Sequence, residues 1–134
     1  MAIDGLTTIK SSLAAKDTMD RLEARVKAAG MSVFARIDHS TGANSVGLPL
    51  RPTEVLIFGN PKGGTPLMQA AQTIGLDLPL KALVWQDASG DSWLSYNDPV
   101  WLARRYGIID ETEAAAGKLS AMLAAVALAA TTSA

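Results

Sequence analysis

The chain has 134 residues, 49% apolar and 19% charged, with a formal net charge of −1. That length suits a single domain over residues 1–134, and the composition excludes an intrinsically disordered chain. No basic surplus exists to neutralise a phosphate backbone, so nucleic acid is not an expected partner, and the absence of cysteine excludes disulfides, thiolate metal sites and a cysteine nucleophile.

Leu6, Thr7, Thr8 and Ile9 predict a short first strand, with Ser11 or Ser12 capping the helix that follows. Met19, Leu22, Val26 and Ala29 recur at helical spacing, and Gly30 is the expected stop. Met31 to Asp38 alternates as a half-buried strand, with Val33, Ala35 and Ile37 on one face. The apolar run Val55-Leu-Ile-Phe58 reads as a buried strand ended by Gly59. Asn60-Pro61 and Gly63-Gly64 form a corner, after which Thr65 is expected to cap a helix with Pro66 in its first position. Ala82 to Trp85 and Ser92 to Tyr96 predict two strands joined by a turn at Asp87-Ala-Ser-Gly-Asp91. Asp98-Pro99 is a strong helix start, and a last helix over about 111–130 carries Leu119, Met122, Leu123, Val126 and Ala130 on one stripe. Thr131 to Ala134 are expected to fray.

This order does not alternate strand and helix regularly, which argues against a parallel doubly wound sheet. It predicts an α+β fold, an antiparallel sheet with both long helices on one face. The opening Met-Ala-Ile-Asp-Gly lacks the basic and apolar regions of a signal peptide. The longest apolar tract, Ala121 to Ala130, is short and Ala-rich for a bilayer span. A soluble cytoplasmic protein with no membrane partner is therefore expected.

Chemistry concentrates in two places. At the Gly-rich corner, Asn60, Lys62, Gly63, Gly64 and Thr65 read as a site where a helix start and a lysine hold a phosphate or carboxylate. Lys62 precedes the glycines, so the Walker pattern does not match, and a tight strand-to-helix turn that binds nothing explains the same residues. His39 is the sole histidine, which excludes a multi-histidine metal site within one chain, and no metal is assigned. With Asp38 it is the candidate general acid–base; the alternative is that the pair caps the following turn through side-chain hydrogen bonds. Haem ligation by His39 is chemically allowed, and no cofactor is assigned. Arg51 is either a fork for a carboxylate ligand or one half of an internal ion pair.

Phe34-Ala-Arg-Ile-Asp-His39, Leu50-Arg-Pro-Thr-Glu54, Phe58-Gly-Asn-Pro-Lys62, Gly64-Thr-Pro-Leu-Met68, Leu78-Pro-Leu80 and Ser95-Tyr-Asn-Asp-Pro99 together resemble the bacterial and archaeal family called domain of unknown function 302. The resemblance covers roughly residues 7–108. It implies a β-α-β(4)-α helix-grip layout, similar to the TATA-binding-protein sheet, and homodimers. It implies no established reaction. The leading expectation is a homodimeric domain that binds a small, partly anionic ligand near His39, Arg51, Asn60 and Lys62. The rivals are an enzyme using His39 as acid–base and a structural protein-interaction module.

Overall fold

The computed structural model describes residues 2–110 and 112–133. Five strands, β1 (Leu6–Ser11), β2 (Ser32–Asp38), β3 (Thr53–Gly59), β4 (Leu80–Gln86) and β5 (Ser92–Asn97), form one antiparallel sheet in the order β1-β5-β4-β3-β2. The helices are α1 (Ala15–Ala28), α2 (His39–Ser45), α3 (Pro61–Ala70), α4 (Pro99–Arg105) and α5 (Glu113–Thr131), and a 3-10 segment over Gln72–Asp77 leads from α3 into β4.

Period-two alternation sorts the strands into two faces. Phe58 pairs with Val33 and Leu80, and Leu56 with Ala82, all on the face that α1 and α5 cover. Met19, Leu22 and Val26 of α1 and Leu123, Val126, Ala127 and Ala130 of α5 close the core over them. This is the α+β arrangement that the element order predicts. A second apolar cluster, centred on Leu67, Ile74, Leu102, Ile108 and Ala116, joins α3 and α4 to the start of α5. Among the described residues, neither α1 nor α5 packs on the opposite face of the sheet. Its central row runs Ile37, Val55, Leu83, Ser95, Thr8, flanked by a Trp85–Trp93 stack at 6.2 Å.

Local chemistry accounts for most boundaries. The Asp98 carboxylate accepts from the Val100 N–H and Pro99 holds the first position of α4, as expected. Asp87 accepts from the Ser89 and Asp91 N–H groups and from the Trp93 indole, which fixes the β4–β5 hairpin. Gly5 takes φ +76 directly beneath the Trp101 ring, where a Cβ would come within 2.2 Å of the indole, so only glycine fits there.

Five expectations are corrected. Val33 does not share a face with Ala35 and Ile37: a bulge between Val33 and Ala35 shifts the register, so Val33 pairs with Phe58 on the covered face while Ile37 pairs with Val55 on the other. Neither Ser11 nor Ser12 caps α1, whose N-cap is Ala14; Ser11 bonds the Leu13 N–H and the Thr18 hydroxyl instead. Helix α3 begins at Pro61 with Asn60 as its cap, five residues before the expected Pro66, which lies inside the helix. Thr131 does not fray: it is buried, and its carbonyl accepts from the Ser12 N–H and hydroxyl, tying the end of α5 to β1 (Ala134, also expected to fray, and residue 111, the expected start of the helix, lie outside the described residues). The tract Ala121–Ala130 is part of a 19-residue helix that is long and apolar enough, by length and composition, to cross a membrane. Within this fold α5 packs on α1 and on the sheet.

Candidate functional site

The residues expected to converge occupy opposite ends of β3. Antiparallel pairing sets Asp38 opposite Glu54, at the start of β3, and Ser32 opposite Gly59, at its end. His39 and Arg51 therefore lie at the first end and Asn60 and Lys62 at the second, roughly 20 Å away along a seven-residue strand. A single site built from all four does not form. Asp38 is engaged as the cap of α2: it accepts from the Thr41 N–H and the Ser40 hydroxyl, and these bonds hold its carboxyl below the usual aspartate range. His39 opens the same short helix on an exposed surface. Arg51 donates to the Gln86 backbone carbonyl at 3.2 Å. Among the described residues the internal ion pair expected of Arg51 does not form; Glu54 is taken by Arg36 instead.

At the other end the first turn of α3 leaves few donors for a ligand. Pro61 has no N–H. The Lys62 N–H donates to Asn60 Oδ1 at 2.9 Å, and the Gly63 and Gly64 N–H groups donate to the Asn60 carbonyl at 2.9 and 3.2 Å. The expected cradle of free backbone N–H groups is thus consumed by Asn60. Gly63 has a different reason for being glycine: a Cβ there would sit 2.8 Å from Leu119 Cδ2, so its absence lets α3 approach α5 closely.

The same corner nevertheless walls a cavity of about 420 Å³, within the ~300–1,000 Å³ range of small-molecule sites. Its floor and sides come from Met31 and Phe34 at the start of β2, Leu78 and Leu80 entering β4, and Leu119 and Met122 of α5. Asn60, Lys62, Gly63, Gly64 and Thr65 line it as well. Lys118 supplies a second cation, and no acidic side chain among the described residues lines the cavity. Phe34 is 57% exposed at the mouth, where a bulge between Val33 and Ala35 turns it out of the alternation. Sequence reasoning missed Lys118. The available signal was its isolation: it is the sole charged residue from Ala114 to the end of the chain.

Comparison with known proteins adds three findings. The family model described as "Domain of unknown function DUF302" matches residues 7–126. Proteins named fluoride-specific ion channel FluC 1, from Brucella suis biovar 1 and Brucella abortus biovar 1, are each 53% identical over 104 residues, or 78% of this chain. The chain spans only about two-fifths of their length, 41% and 38%. A crystal structure of an uncharacterized conserved DUF302 protein from Bacillus stearothermophilus has the same fold, with a TM-score of 0.84 over 96% of this chain and 99% of that one, at 22% identity.

Proposed function

This chain belongs to the family described as domain of unknown function DUF302, and we propose that it is a ligand-binding domain whose site is the corner cavity and whose ligand is small and partly anionic. One observation carries this reading: an apolar cavity of about 420 Å³ has two lysines and no acid among its described lining residues. An apolar wall supplies affinity by burial, and a few convergent polar groups fix orientation.

Gly64→Leu tests it. A Cβ at position 64 would meet Leu78 Cδ1 at 3.6 Å and Met68 Cε at 3.8 Å, ordinary contacts, so the backbone tolerates a side chain that then fills the cavity. Native mass spectrometry of freshly purified protein, alongside thermal shifts with small anionic metabolites, is the measurement. A compound present at a hundred times its Kd stabilises by about 2.7 kcal/mol, roughly 10 °C for a chain of this size. The wild type should show such a shift or a retained mass, Gly64→Leu should lose it, and His39→Ala should keep it. Equal shifts in wild type and Gly64→Leu would remove the cavity from consideration.

The name of the Brucella relatives raises fluoride as a second ligand. A bare fluoride ion has no apolar body to bury against this wall, and the backbone N–H donors of the first turn of α3 are engaged by Asn60. Fluoride therefore belongs in the screen as an anion expected to give no shift.

We also propose a homodimer formed through the open sheet face. Exposed Ile37 and half-buried Val55 and Leu83 stand in one row there, beside Trp85 and Trp93, and an apolar surface of this kind marks an interface. Sedimentation velocity at micromolar concentration should give a dimer, and Val55→Lys with Leu83→Lys a monomer. A monomeric wild type would overturn it.

A further inference from the structure

Resting on the reading of the corner cavity as a ligand site, we infer that its ligand is a flexible monocarboxylate amphiphile, an apolar chain with one carboxylate head, rather than a small polar oxyanion. Three observations select this class. The first turn of α3 has no spare N–H donors, because Pro61 lacks one and Asn60 takes those of Lys62, Gly63 and Gly64. A phosphate or a dicarboxylate, which needs several directional donors, is poorly served there. The charge at the site is instead carried by Lys62 and Lys118, two flexible point charges on different elements, with no acid among the described lining residues to compete. One carboxylate head supplies the counter-charge that the lining lacks.

The rest of the wall is apolar and adaptable. Met31, Met68 and Met122 all line it. Unbranched thioethers reshape around a floppy chain and discriminate poorly between rigid outlines. Leu78, Leu80 and Leu119 extend the apolar surface past the lysines, so a bound molecule has an apolar body to bury as well as a head to pair. A headless hydrocarbon would leave the lysines without a counterion, and a compact anion would leave the apolar wall in contact with water.

The methionines also supply the readout. In protein labelled with [13C]methyl-methionine, three cavity methyls report on any occupant, while Met19, fully buried on the core side of α1, is the internal control. Decanoate should shift the Met31, Met68 and Met122 resonances and leave Met19 in place. Decanol should bind about tenfold more weakly, the ratio that one charge-assisted contact carries. Lys62→Met with Lys118→Met, both at exposed positions, should bring the two affinities together. Shifts with phosphate or succinate but none with decanoate would overturn the amphiphile class and leave the site standing. Equal affinities for decanoate and decanol in the wild type would overturn the role of the head group, as would an unchanged decanoate preference in the double variant. If none of these compounds, and none of the metabolites in the thermal screen, moves the three methyls, the site reading itself falls.

Discussion

Phe58→Ala should cost about 3–5 kcal/mol of stability, the range for deleting a fully buried aromatic side chain. Phe58 has no exposed surface, stands on the covered face of β3 between Val33 and Leu80, and belongs to the cluster that α1 and α5 close. The neighbouring elements are held by their own hydrogen bonds and cannot collapse into the space. The loss therefore includes a cavity contribution as well as the apolar area. Urea denaturation at constant slope is the measurement. Phe34→Ala is its control: the residue is displaced by the bulge and 57% exposed, so stability should change by less than about 0.5 kcal/mol. A Phe58→Ala loss below about 1 kcal/mol would mean that this face of the sheet is not the packed core.

The two phenylalanines also mark how far the sequence could be read. Alternation in β2 and the apolar run in β3 identify both strands, and Asp98-Pro99 places the start of α4, because each signal is local. The start of α3 is ambiguous at the same level. Asn60-Pro61 and Thr65-Pro66 are both cap-and-proline pairs. The first prevails, since Asn is the better cap and an early start sets Gly63 against Leu119 and buries Leu67. The choice is made by α5, more than fifty residues away. The cavity was hidden for the same reason, as its walls come from segments around residues 31, 60, 78 and 119 that share no periodicity. The separation of His39 from Lys62 was more accessible. Once β2 and β3 are read as antiparallel neighbours, the end of one must face the start of the other.

Arg36 should be the polar side chain whose loss is felt most. It stands on the covered face of β2, an edge strand, and joins three acids on two other elements. Its guanidinium donates to both oxygens of Glu54 on β3, at 2.7 and 3.0 Å, and reaches Asp20 at 2.8 Å and Glu23 at 3.1 Å on α1. The Arg36 and Glu54 side chains are 26% and 20% exposed, so solvent screens this pair less than an open surface bridge. Arg36→Ala leaves three carboxylates together without their shared cation and should cost about 2–3 kcal/mol, between the values for charged hydrogen bonds and for breaking a buried pair.

The pH dependence separates this mechanism from simple loss of packing. Hydrogen bonds from Lys16 and then Arg36 hold the Asp20 carboxyl below its ordinary value of 3.8, and bonds from Lys27 and then Arg36 hold Glu23 below 4.5. A carboxyl depressed in the folded state contributes stability that is present above its unfolded value and is lost as pH falls through the folded one. The gap between wild type and Arg36→Ala should therefore be constant above about pH 5 and narrow progressively as the pH drops below 4.5 toward 3. Denaturation midpoints across that range measure it. Lys16 and Lys27 remain in the variant, so the comparison isolates the share carried by Arg36. A gap that stays constant down to pH 3 would assign the effect to the packing of the aliphatic stem of Arg36 against α1, with the ion pairs contributing nothing measurable.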